Sequence, residues 1–110
     1  MAIDEALAAR VRQALGKRGG IAEKRMFGGV AFLLNGNMSV GLHGTELIVR
    51  VDPDEGEQAL TEPNVRRFDL TGRPMKGWLL VAPGGLATDR ELRRWVDAGV
   101  KFAASLPPKK

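Results

Sequence analysis

The chain predicts an α+β fold, an antiparallel sheet with helices packed on it in the order α-β-β-β-α-β-β-α. Three observations lead there. Two tight-turn signals, Asn35-Gly36 and Gly44-Thr45, separate apolar runs of strand length, so consecutive strands pair as hairpins. Amphipathic stretches of helical period stand near both ends of the chain. No alternation of strand and helix occurs in between, which argues against a doubly wound nucleotide-binding sheet.

Residues 4 to 18 form the first helix: Ile3, Leu7, Val11 and Leu15 recur every four residues, and Ala8 and Ala14 widen the stripe. Asp4 and Glu5 suit a helix N-terminus, Lys17 and Arg18 suit its end, and Gly19-Gly20 supplies the stop. With Asn35-Gly36 as a two-residue loop, Leu33 pairs with Met38, Phe32 with Ser39 and Ala31 with Val40. Gly44-Thr45 pairs Leu42 with Leu47 and Val40 with Val49. Strand alternation then gathers Leu33, Met38, Val40, Leu42, Leu47, Val49 and Val51 on a core face. Val30, Phe32, Ser39, Gly41, Ile48 and Arg50 fall on the opposite face.

Asp52-Pro53-Asp54-Glu55 opens a short second helix that ends near residues 60 to 62, before Pro63. Arg66 to Leu70 and Gly77 to Ala82 read as a fourth and fifth strand around a turn at Thr71-Gly72. Thr88 and Glu91 form a capping box for a last helix, whose inward stripe is Leu92, Trp95, Val96, Gly99, Phe102, Ala103 and Leu106. Pro107-Pro108 ends it, ahead of a Lys109-Lys110 tail.

Composition bounds the function. The 110 residues are 44% hydrophobic and 27% charged, which fits one globular domain over residues 1 to 110. No apolar run reaches the roughly 20 residues of a membrane span. Asp4 and Glu5 stand where a secretory leader would be apolar, so a cytoplasmic location is expected. Without cysteine, and with His43 the only histidine, no transition-metal site is expected, and no cofactor.

Few residues carry chemistry. Gly28-Gly29 follows Phe27 and enters a strand with no lysine and hydroxyl after it, so a bend explains the pair better than a phosphate cradle. Asp52-x-Asp54-x-Gly56 fails as a calcium loop, because Pro63 stands where a glutamate is needed. His43 lies at a turn beside Glu46 and reads as exposed. Arg50 has two readings: an ion pair with Asp52 or Asp69, or a cation presented to an anion or a partner chain. On the last helix Arg90, Arg94 and Lys101 share a face, with Arg93 beside them. That stripe could track phosphates, or be a solvated face neutralised by Asp97. The net charge of +4 suits an anionic partner.

Arg25-Met26-Phe27-Gly28-Gly29, then Leu47-Ile48-Val49-Arg50-Val51-Asp52, then a Trp-bearing last helix after Leu86-Ala87-Thr88-Asp89, resemble the N-terminal domain of the TfoX/Sxy family. The likeness runs in order from about residue 8 to 106. It implies an α+β fold of the order given above, and a bacterial regulator of the competence type that acts with other transcription factors. Such regulators carry a further C-terminal helical domain, so this chain is expected to be a stand-alone copy of the first. Trp78-Leu79-Leu80 departs from the tyrosines usual there. No catalytic residue carries over.

The expectation is therefore a non-catalytic interaction module, working through protein contacts at Phe32, Ile48 and Arg50, with a homodimer expected. Backbone-directed nucleic-acid binding through Arg90, Arg93, Arg94 and Lys101 is the alternative. A small-molecule-binding domain or enzyme ranks third, for want of a base, nucleophile or metal cluster.

Overall fold

The computed structural model describes residues 4–16, 19–26, 29–68 and 77–107, with the backbone alone for Met26. Phe27, Gly28, the expected turn at Thr71-Gly72 and the Lys109-Lys110 tail lie outside the described residues.

Helix α1 spans Glu5–Leu15. The Asp4 carboxylate caps it, accepting from the Leu7 amide at 3.1 Å. It stops at Gly16, ahead of the expected Gly19-Gly20, because Gly16 takes a left-handed φ of 62° and its amide closes on the Arg12 carbonyl. Leu7, Ala8, Val11 and Leu15 are the buried stripe.

The hairpins follow as β2 (Gly29–Leu34), β3 (Asn37–His43) and β4 (Glu46–Arg50). Asn35 and Gly36 both have positive φ, 52° and 85°, as a type I′ turn requires. Ahead of them runs β1 (Ile21–Met26), a strand the sequence pattern does not signal. It pairs along its whole length with β2. Residues 22–25 are exposed on it, so backbone pairing holds this strand to the sheet. After α2 (Pro53–Ala59) come β5 (Val65–Arg67) and β6 (Trp78–Val81), then a 3-10 turn at Pro83–Gly85 and α3 (Asp89–Ala104). The expected element order is present, with one strand added, β1 between α1 and the first expected strand. The sheet order is β1-β2-β3-β4-β6-β5, every pair antiparallel.

The register departs from expectation at one point. Leu33 pairs with Met38 as the turn dictates, but Phe32 then faces Val40, and Ser39 is left as an extra residue in β3. This is a β-bulge. The buried Ser39 hydroxyl donates to the Phe32 carbonyl across the bulge at 2.9 Å, so it is not left without a partner. Because alternation has period two, the extra residue swaps faces. Val30 and Phe32 turn inward to join Val40, Leu42, Leu47, Val49 and Val51, and Phe32 is 1% exposed. Leu33 and Met38, expected in the core, leave it.

The described helices all pack on that inward face: residues of α1, α3 and, at its edge, Ala59 of α2 join the strand residues in one core. Helix α3 comes closest at Gly99, where a Cβ would overlap the Ser39 carbonyl oxygen and stand 2.7 Å from Val40 Cγ1. Gly99→Ala is expected to lower stability by about 1–2 kcal/mol, overpacking outweighing the better helix propensity of alanine. In urea the midpoint should fall at constant slope; an unchanged midpoint would mean that α3 can lift off the bulge.

Candidate functional site

Arg50 closes β4 and pairs in the ladder with Trp78, the first residue of β6. Its guanidinium carbon lies 5.1 Å from the centroid of the Trp78 ring and 5.3 Å from that of Phe102, in the last turn of α3. A ring from the sheet and a ring from the helical layer thus bracket one cation, within the range at which a ring quadrupole attracts it. Trp78 also meets Phe68 at 6.3 Å between centroids. Beneath them Ile48, Leu80 and Phe68 form a second, smaller apolar cluster on the sheet face that no described helix covers, with Met38 and Trp78 half-buried at its margin.

The expected Arg50–Asp52 pair does not form. The Asp52 carboxylate instead accepts from the Asp54 amide at 2.9 Å and caps α2. Asp69, the other expected partner, lies outside the described residues. Among the described residues no carboxylate is in ion-pair reach of Arg50. Five other arginines do have one: Arg10 with Asp89, Arg12 with Glu23, Arg66 with Glu46, Arg67 with Glu57 and Arg94 with Glu62.

Of the expected contact residues, then, Ile48 lies in the cluster that no described helix covers, and Arg50, two residues further along β4, stands against Trp78 and against Phe102 of α3. Phe32 is placed inside the helix-facing core by the bulge. Ile48 is itself 7% exposed, closed over by Phe68 and Leu80, so the accessible margin is Met38, Arg50 and Trp78. Sequence reasoning missed Trp78 and Phe102 as partners of Arg50. Seeing the first requires knowing that β6, not β5, lies beside β4.

The basic stripe of α3 is broken. Arg94 binds both oxygens of Glu62 and lies over the Trp95 ring at 4.4 Å, closing one end of a cleft of about 280 Å³ between α2 and α3. Arg90 and Arg93 are exposed around a shallow hollow that Asp89 and Asp97 also line. Lys101 is exposed two turns further on. Arg25 is exposed on β1. Gly29 is required by close packing: a Cβ there would overlap the Leu42 carbonyl oxygen of β3. His43 is exposed, and its ladder partner Glu46 holds Arg66 at 2.7 Å.

Shifted titrations belong to ion pairs. The Arg94 hydrogen bonds hold the Glu62 carboxyl below its ordinary value against a smaller opposing effect of burial, and Glu62 in turn raises Arg94. Arg12 and Glu23 shift the same way for the same reason. Among the described residues no three His, Cys, Asp or Glu side chains assemble as a metal set, and no helix is long and apolar enough to cross a membrane.

The family model described as the TfoX N-terminal domain matches residues 13–103. The chain belongs to that family. No curated protein and no solved structure matches it. The match covers every strand of this TfoX N-terminal domain, both residues of the Arg50–Trp78 pair, and Phe102.

The Glu62–Arg94 tie sets a pH dependence. A depressed carboxyl adds stability that is complete above its ordinary value of 4.5 and is lost as pH falls through the lower native value. Glu62→Gln should therefore cost under about 1 kcal/mol at neutral pH, as a half-exposed pair does. The difference from the parent should vanish in denaturation curves taken well below pH 4. A difference that persists there would assign the loss to packing.

Proposed function

We propose that this TfoX N-terminal domain is a non-catalytic interaction module, regulating bacterial gene expression through protein contact at the sheet face that no described helix covers. The observation that carries the reading is the one-sidedness of the packing. The described helices gather on one face, while the other presents Met38, Trp78 and Arg50 half-buried around an apolar cluster. Tryptophan and arginine at the margin of such a cluster are the residue types that dominate protein interfaces. Family membership supports a regulatory role, since the regulators this chain resembles act with other transcription factors.

The geometry gives nucleic acid less support. Arg94 is committed to Glu62, and Asp89 and Asp97 interleave with Arg90 and Arg93. A phosphate track needs several uncommitted cations in line.

Photo-crosslinking separates the two. A benzophenone amino acid at Met38 should capture a protein in the native cytoplasm, as an adduct that survives nuclease, and the same group at Arg93 should not. Adducts formed only from position 93, and removed by nuclease, would overturn the reading in favour of nucleic acid.

A further inference from the structure

We infer that Arg50 is a carboxylate receptor: bracketed by Trp78 and Phe102, it receives an aspartate or glutamate side chain from an acidic, partly apolar segment of a partner protein. The inference rests on the interaction reading above and names the partner's chemistry.

The guanidinium group is planar, with five N–H donors directed outward in its plane. Aromatic rings at 5.1 and 5.3 Å attract its charge but accept those donors poorly. Arg50 is half-buried, and no described residue pairs with it, whereas five other arginines of the same chain reach a carboxylate. A partly desolvated cation whose in-plane donors meet no described acceptor matches the two-pronged geometry of a carboxylate. Flanking rings from two elements also restrict the side chain beforehand, so less conformational entropy is lost when the anion arrives.

The surroundings select among anions. Asp52 and Glu55 line the hollow beside Phe102, together with Lys101. Two carboxylates near one receptor disfavour a polyanion such as a phosphodiester chain more than a single carboxylate. Trp78 lies against the receptor and Met38 against the adjoining Ile48–Phe68–Leu80 cluster, and both offer apolar surface to a neighbouring side chain of the same segment. Charge is complementary as well: the chain carries +4.

The test uses the full chain labelled with ¹⁵N at arginine and ¹³C at methyl groups. It is titrated with a capped peptide of alternating aspartate and leucine, its asparagine counterpart, and inorganic phosphate. The aspartate peptide should shift the Arg50 Nε–Hε signal saturably and bind at least tenfold tighter than the asparagine peptide. Arg50→Gln should reduce it to the asparagine level, and Arg50→Lys should recover only part, since the fork is lost. Phe102→Leu, which keeps apolar filling but removes a ring, should weaken binding severalfold while near-ultraviolet circular dichroism reports an intact fold. Arg93→Gln should leave the affinity unchanged. Equal affinity for both peptides, no effect of Arg50→Gln, no shift at millimolar peptide, or a stronger shift with phosphate would each overturn the inference. If both peptides bind equally and still move the Met38 and Leu80 methyl signals, the contact face stands and only the carboxylate assignment falls. If Arg50 takes the aspartate peptide but position 38 captures no protein in the cytoplasm, the interaction reading falls instead.

Discussion

One residue too many in β3 organises this molecule. Ser39 has no counterpart in β2, and the ladder accommodates it by pairing Phe32 with Val40. Everything beyond that point toward Gly29 is one residue out of step with the turn. Phe32 goes under the helices, Met38 goes to the face that no described helix covers, and the backbone at Ser39 meets α3, which can approach only because position 99 has no side chain. The Asn37 amide, itself buried, donates to the Pro107 carbonyl at 2.8 Å and fixes the chain just beyond α3. Phe102 sits between those two attachments, at Gly99 and Pro107. Its ring reaches Arg50 because the start of β3 grips the helix on both sides of it.

Local chemistry was legible in the sequence wherever one residue or one turn decided the outcome. Asn35-Gly36 and Gly44 take positive φ where a two-residue loop demands it, and the β3–β4 pairs follow as counted from the turn. Asp4, Asp52 and Thr88 each cap the helix they precede. The bulge was not legible, because nothing distinguishes Ser39 from any small residue in a strand until a helix is pressed against it. Strand β1 was hidden for a different reason. Glu23, Lys24 and Arg25 are consecutive charges, and an edge strand exposed along most of its length has no apolar alternation to show. The contact site was half visible: Arg50 stood out in its strand, but its two rings come from elements 28 and 52 positions away in the chain, across a connection that places β6 before β5.

The surplus of arginine misleads if read as composition alone. Arg10 ties α1 to Asp89 at the start of α3 and donates to the Leu86 carbonyl at 2.8 Å. Arg12 ties α1 to Glu23 on the edge strand, Arg66 reaches across β6 to Glu46, and Arg67 ties β5 to Glu57 of α2. Each tie is worth little by itself at an exposed position. Together they bind the outer elements, the edge strands and α2, to the body of the domain. A positive formal charge thus includes five arginines that are occupied in architecture rather than offered to an anionic partner.

Arg94 and Arg50 make an internal comparison. Both guanidinium groups lie against an aromatic ring, at 4.4 Å for Trp95 and 5.1 Å for Trp78. Arg94 spends its donors on both oxygens of Glu62. That is the arrangement an arginine adopts in this fold when ring and carboxylate are both within reach. Arg50 has a second ring where Arg94 has its carboxylate, and the nearest acid in sequence, Asp52, is already taken by the α2 amide it caps. Since a ring neutralises part of the charge and little of the hydrogen-bonding demand, the two sites differ by one anion. The chain supplies that anion at Arg94. At Arg50 no described residue supplies it; the proposed partner segment would, lying against Trp78 and the apolar margin that Met38 shares.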